Sequence, residues 1–183
     1  MKIDFTTFIL ETDRLLLIPT SKEHSQEIFK EFTPEITQYM SPNSAKEISE
    51  TQERIDSCLV KREKQEELQM TILDKNTKEF LGNVGLHEIK ECIPELWIWI
   101  KKSAHGKKVG REAVAKLEAW AQENLDFDYI KYPVDKDNIG SRKIAESLGW
   151  IVQIDEQGNE KITIETISPT KILHIVEYRI PKK

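Results

Sequence analysis

The 183 residues are expected to fold as a single-domain α/β (α+β) sandwich, one central sheet covered by helices on both faces, and three features carry that expectation. ELWIWI, from Glu95, places Leu96, Ile98 and Ile100 on one side of a strand and Trp97 and Trp99 on the other. A strand apolar on both sides belongs inside a sheet with helices above and below it. VGREAVAKLEAWAQENL then repeats apolar residues at Val109, Ala113, Leu117, Trp120 and Ala121, the spacing of one helix face. No linker, repeat or low-complexity segment divides residues 1–183, and the length suits one core.

The remaining elements follow in order. RLLLI, closed by Pro19, reads as a buried first strand. Thr20 with Glu23 has the spacing of a capping box opening a helix to about Phe32, and Ser44 with Glu47 repeats it before a longer helix carrying Ile48, Ile55, Cys58 and Leu59. LQMTILD, the turn DKNTKE, FLGNVGLHEI and PELWIWIKK give three successive strands. After the long helix, DYIKYPV is a strand whose Pro133 has no N–H to give a ladder, so it needs an open side. GSRKIAESLGW reads as a short helix ended by Gly149. Ile151 to Ile154 with KITIE beyond, then KILHIVEYRI, are late strands flanking the turn DEQGN.

Charge and composition narrow the function. With 32 acidic against 27 basic residues the net charge is −5, which argues against nucleic acid or an anionic membrane as partner. No stretch has the length of a membrane span, and MKIDFTTFILETDR mixes acids among its apolar residues, unlike a secretory signal, so a cytoplasmic protein is expected. Cys58 and Cys92 sit in no pair or metal-ligand spacing and read as ordinary thiols of a reducing compartment, with no metal site.

Two segments could carry chemistry. His105 to Arg111, HGKKVGR, enters the long helix through Gly106, Lys107, Lys108, Val109 and Gly110. A helix start offers unpaired amides and partial positive charge, so this turn could cradle a phosphate. It lacks the spacing of a P-loop or a GxGxxG turn, and a solvated charged turn is an equal reading. In DKDNIGSRK, Asn138 could simply cap the next helix, leaving Ser141 and Lys143 as first-turn residues, or the three could face a ligand.

Taken together, ETDRLLLIP, FLGNVGL, ELWIWIKKSAHGKKVGREAV and VDKDNIGSRKIAESLGW resemble the GNAT superfamily of acetyl-CoA-dependent N-acetyltransferases, in its RimJ/RimL-like branch, over nearly the whole chain. The resemblance implies a mixed, mostly antiparallel sheet, splayed between the strands at about 95–102 and 129–134. The pantetheine amides would pair with the exposed edge at Trp99, Ile100 and Lys101, opposite Pro133. The turn from His105 to Arg111 would hold the pyrophosphate, with His105, Lys108 and Gly110 matching the family's Q/R-x-x-G-x-G/A. Here His105 replaces the glutamine or arginine, and Lys108 the central glycine. Asn138, Ser141 and Leu148-Gly149-Trp150 match the N-x-x-S and L-G-F motif, with Lys143 beside the cofactor, while Ser147 stands where the branch often has lysine.

The implied reaction is direct attack of a primary amine, a protein N-terminus or a small molecule, on the thioester of acetyl-CoA, with no metal. Most alkyl amines are protonated at neutral pH, so a base must take a proton and the departing thiolate must receive one. Ser141 is the expected donor. Glu95 is the expected base by position in the family, with His87 and Glu88 nearby. The alternative is a weak or inactive module of the same fold that binds coenzyme A as a sensor. The late strands also expose an edge through which a homodimer could form.

Overall fold

A computed structural model describes residues 4–183; the first three residues of the expected domain and N-terminal segment lie outside the described part. β1 (Leu10–Glu11), β2 (Leu15–Pro19), β3 (Leu68–Asp74), β4 (Phe80–His87), β5 (Glu95–Ile100), β6 (Tyr129–Asp135), β7 (Ile151–Val152), β8 (Ile162–Ser168) and β9 (Lys171–Pro181) form one sheet. Its order is β1-β2-β3-β4-β5-β6-β9-β7, with β8 also on β9. Every pairing is antiparallel except that of β5 with β6. The helices are α1 (Ser25–Glu31), α2 (Pro34–Thr37), α3 (Ile48–Glu63), α4 (Val109–Asn124) and α5 (Ile139–Ser147).

Alternation along β5 divides the interior into two cores. Leu96, Ile98 and Ile100 pack with Val109, Ala113, Leu117 and Trp120 of α4 and with Ala145 and Ile144 of α5. On the other face Trp99 packs with Ile28 of α1, Ile55 of α3 and Phe80, with Phe32 and Trp97 against them. Phe32 lies 4.9 Å and Phe80 5.7 Å from the Trp99 ring, ordinary aromatic separations. Helices therefore cover both faces, and each fully buried leucine, such as Leu17, Leu96 or Leu117, contributes about 1.5–3 kcal/mol.

A bulge lies at the centre of this arrangement. The β3–β4 register passes from Ile72↔Gly82 to Leu73↔Phe80, and Gly82 has φ +151°. A Cβ there would stand 2.2 Å from the Trp99 carbonyl oxygen, so only glycine lets β4 approach β5 so closely.

Neither expected capping box forms. Ser21, not Thr20, starts a 3₁₀ turn over Lys22–His24 ahead of α1, and His24 Nδ1 accepts from the Ser21 amide at 3.1 Å. Thr20 is instead buried, with its hydroxyl shared between Thr71 at 3.1 Å and Asn83 at 3.0 Å. The second helix begins at Ile48 with Glu47 at its cap position, so Ser44 lies outside it. Thr33 caps α2, a short helix that the sequence pattern does not signal. The late region also differs in detail: β7 and β8 lie in succession along the same edge of β9, separated by a loop with an Ile154↔Glu160 bridge.

Candidate active site

β5 and β6 share a single bridge, Glu95↔Lys131, with the Lys131 amide donated to the Pro94 carbonyl at 2.9 Å. Beyond it the two strands diverge. Because amides alternate along a strand, the Lys131 bond toward β5 means that position 133 also faces the gap, where proline has nothing to donate. The opposite edge of β6 is paired with β9 throughout, Pro133 standing across from Glu177. Proline therefore occurs at the one side of β6 where no ladder bond is lost.

The same alternation assigns the β5 edge. The Lys101 amide donates to the Leu81 carbonyl at 2.9 Å, toward β4, so the Trp99 amide points that way too. The amides facing the gap beyond the bridge are those of Ile98 and Ile100. Of the three residues expected to supply this edge, only Ile100 does so. Trp99 is committed to the core by its ring, and Lys101 is buried with its Nζ on Glu79. The Ile98 amide, which the sequence reading did not name, faces the gap beside that of Ile100.

At the mouth of the gap the chain turns through a 3₁₀ segment, Lys102–Ala104, and then His105–Lys108 into α4. Lys108 holds φ 62° and ψ 13° at the helix cap and makes no side-chain cap bond. Its backbone thus keeps the left-handed geometry natural to the family's glycine, at a cost of about 1–2 kcal/mol for a lysine. The first-turn amides of Val109, Gly110 and Arg111 have no carbonyl one turn back within the helix to receive them. Lys107, Lys108 and Arg111 are exposed beside them. Gly110 serves packing: a Cβ there would meet Ile144 at 3.0 Å, Ile100 at 3.5 Å and Ile98 at 3.6 Å. Gly106, at φ +75°, has open space around it. His105 Nε2 lies 2.7 Å from the Ile100 carbonyl, so the ring folds back onto the gap edge rather than outward.

Two residues from the N-terminal motif hold this turn from below. Arg14 donates through Nε to Glu112 at 2.8 Å and through Nη1 to the Lys107 carbonyl at 3.2 Å, while Thr12 donates to the other Glu112 oxygen at 2.5 Å. The carboxylate of Glu112 in the first turn of α4 suits the positive end of the helix, and these bonds outweigh its desolvation to keep its pKa below the usual value.

On the β6 side, buried Asp135 accepts the amides of Asp137 at 2.9 Å and His174 at 2.8 Å, fixing the loop before α5. Asn138 caps α5 by accepting the Ser141 amide at 3.1 Å, so its oxygen is used in the fold. Lys143 is exposed, at the start of the second turn of α5. The Ser141 hydroxyl neighbours Tyr132 of β6, whose phenol burial pushes up to about 12 while the Ser141 hydrogen bond pulls the other way. Tyr132 also packs edge-on against Trp150 at 5.1 Å. Sequence reading passed over Tyr132 because a tyrosine in a strand looks like core.

At the closed end of the gap, on the face carrying α3, a cavity of about 530 Å³ is lined by Lys61, Glu66, Glu67, His87, Glu88, Lys90, Glu91 and Glu95. Glu95 is 3.3 Å from Lys131 Nζ, which also holds Glu88 at 2.9 Å. Glu67 is buried between His87 Nδ1 and Lys61 Nζ, each at 3.2 Å. Burial works to raise the Glu67 pKa, but these two partners prevail and lower it. A carboxylate can only accept, so Nδ1 of His87 donates to Glu67, and in the neutral ring Nε2 keeps the lone pair. Trp97 stacks on the ring at 5.4 Å and fixes its plane. Beneath them Cys58 is a thiol that burial, with Glu67 nearby, raises to about 12, far from any reactive thiolate. Among the described residues no cluster of metal-ligating side chains occurs, and no helix is long and apolar enough to cross a membrane.

Solved structures with this fold have been found by comparison. RimL, a ribosomal L7/L12 alpha-N-protein acetyltransferase in complex with coenzyme A, superposes with a TM-score of 0.81 at 13% identity, over 95% of this chain and 98% of that one. An acetyl transferase of Salmonella typhimurium that modifies the N-terminal serine of L7/L12 gives 0.79 at 13%, over 96% and 100%. The ribosomal-protein-S5-alanine acetyltransferase of Vibrio fischeri gives 0.80 at 12%, over 96% and 97%. At such identities the likeness is one of fold. No curated protein matches by sequence. The acetyltransferase (GNAT) domain pattern matches residues 14–151, the stretch from the Arg14 clamp through the gap and both helix starts to β7. By that match the chain belongs to the GNAT family of acetyltransferases, enzymes that draw their acetyl group from acetyl-CoA.

Proposed function

We propose that this enzyme acetylates a cationic primary amine, with the acetyl-CoA arm lying in the gap between β5 and β6 and the amine arriving through the acidic cavity at its closed end. The observation that carries the reading is the gap itself: the Ile98 and Ile100 amides face it and Pro133 offers no competing donor. An arm bearing amides fits such an edge as an added strand. The helix-start amides of Val109 to Arg111, with Lys107 and Lys108, would take the pyrophosphate. The Ile98 amide is the donor best placed to meet negative charge developing on the thioester carbonyl.

Glu95 and His87 both line the cavity beside the bridge that ends the gap. The Lys131 contact favours Glu95 as a fixed charge, whereas His87, oriented by Glu67 and Trp97, keeps a free nitrogen and is the better proton acceptor. Ser141, hydrogen-bonded to Tyr132, returns a proton to the thiolate. Five glutamates against two lysines around the cavity favour a substrate bearing positive charge. The acceptor is a protein N-terminus, as in the RimL-type relatives, or a small polyamine-like molecule, and the setting is cytoplasmic.

A specific feature also supports a non-catalytic coenzyme A sensor: His105 occupies the Ile100 carbonyl that the arm would otherwise use. A thiol-release assay across basic peptides and small amines separates the two. Turnover is expected, with Ser141→Ala lowering kcat about 10²-fold or more while acetyl-CoA affinity stays within about twofold. Saturable acetyl-CoA binding without turnover on any amine would favour the sensor, and an unchanged rate in Ser141→Ala would remove that residue from the reaction.

A further inference from the structure

Of the five glutamates that line the acidic cavity, only Glu67 is buried, at 3% exposure. A carboxylate leaves water at high cost unless strong donors meet it. Its two oxygens are served unequally. Oε1 has the Cys58 thiol at 3.5 Å, a weak donor that Gln69 holds more closely at 2.8 Å. Oε2 receives both Lys61 Nζ and His87 Nδ1, each at 3.2 Å. Two donors therefore draw on one oxygen, and a stronger hold by one weakens the other.

The charges around the His87 ring come from several elements. α3 supplies Lys61, the segment before β3 supplies Glu66 and Glu67, the loop after β4 supplies Glu88, Lys90 and Glu91, and β5 supplies Glu95. Lys131 of β6 draws Glu88 and Glu95 to itself, at 2.9 and 3.3 Å. Glu66, Lys90 and Glu91 are exposed and screened by solvent. Glu67 is thus the charge that acts on the ring most directly, and Lys61 the charge that acts on Glu67. Trp97 lies 5.4 Å from the ring and 22° from parallel, so His87 cannot turn away from Glu67 without giving up that stacking. Lys61 has no such restraint, and its side chain is 51% exposed.

We propose that Glu67 and Lys61 are positioning residues that set how readily His87 takes the substrate's proton: Glu67 holds the Nδ1–H and favours proton uptake at Nε2, and Lys61, on the same oxygen, holds that pull in check. The inference rests on His87 as the base and adds Lys61 as its control. In the step itself the substrate ammonium loses an N–H bond and Nε2 gains one, with no change of oxidation state. The imidazolium ion so formed faces the Glu67 carboxylate, Lys61 is free to swing into solvent and leave Oε2 to it, and the proton then passes to water in the open cavity.

Titration of the His87 ring by NMR in the full chain, beside the pH dependence of kcat/KM, tests the proposal; the chain has four histidines, and His87→Gln assigns the signal. Lys61→Met is expected to move the His87 midpoint up by about 0.5–1 pH unit, with an unchanged melting temperature. Glu67→Gln, which keeps an oxygen for Nδ1–H but no charge, should move it down by about 1–2 units and lower kcat about tenfold. With Glu67→Gln already in place, Lys61→Met should move the midpoint far less than it does alone. The acid limb of kcat/KM should follow the ring in each variant and be lost in His87→Gln. A His87 midpoint unmoved by Lys61→Met, or moved equally with and without the Glu67 carboxylate, would overturn the control by Lys61 while leaving His87 as the base. A ring that shifts as expected while the acid limb stays in place would overturn His87 as the base, and the role of both partners with it.

Discussion

Lys108 is the residue whose chemistry and backbone disagree most. Its charge suits a pyrophosphate, but a lysine replaces the family's glycine without strain only where φ stays negative. At φ 62° that proviso fails. Lys108→Gly is therefore expected to raise stability by about 1 kcal/mol, read as a higher melting temperature, and calorimetry should show acetyl-CoA affinity held or improved despite the lost charge. A large fall in affinity would show that the ammonium matters more than the loop. Other residue-scale features were readable to different depths. Asn138 caps α5, as one reading of its motif expected, and the Ser141 amide is the group it receives. The His87–Glu67 pair joins residues twenty apart in sequence, one at the end of β4 and one just before β3, so no local pattern could announce it.

Elements were legible where burial dictates a pattern. β5 could be read from alternate residues because two different cores press on its two faces, and α4 because one face is buried along its length. The capping boxes failed because the four-residue pattern carries no knowledge of burial: Thr20 is drawn inward by Thr71 and Asn83, leaving Ser21 to start the turn. Which β5 amides face the gap depends on the pairing register, and a one-residue error exchanges them. The Arg14 clamp likewise links β2 to α4 across about a hundred residues of sequence. Removing it with Arg14→Ala should loosen the start of α4 and weaken acetyl-CoA binding about tenfold, or ~1.4 kcal/mol, with kcat little changed at saturating cofactor. Unchanged binding would mean that the turn holds its shape without help from β2.

At the scale of the whole molecule, the interrupted β5–β6 pairing lies between two differently charged surroundings, one on each face of the sheet. The α4 side offers amides and positive charge to an anionic cofactor. The α3 side offers a negatively lined cavity to a cation. Under the proposed function, charge complementarity of this kind would separate the two substrates before they meet at the gap. The resemblance to a family predicted the opening, and Pro133 signalled it independently, since a proline in an interior strand requires an unpaired neighbour. The acidic cavity was not foreseen, because Glu66, Glu67, Glu88, Glu91 and Glu95 come from separate segments and look in sequence like ordinary surface charges.

The most direct test follows backbone amides by ¹⁵N–¹H correlation spectra and hydrogen exchange as coenzyme A is added. The Ile98 and Ile100 amides should shift and gain protection together with Val109 to Arg111, while the Trp99 and Lys101 amides, already bonded toward β4, change little. Saturable binding that leaves Ile98 and Ile100 unprotected, or that protects a different edge of the sheet, would contradict the account.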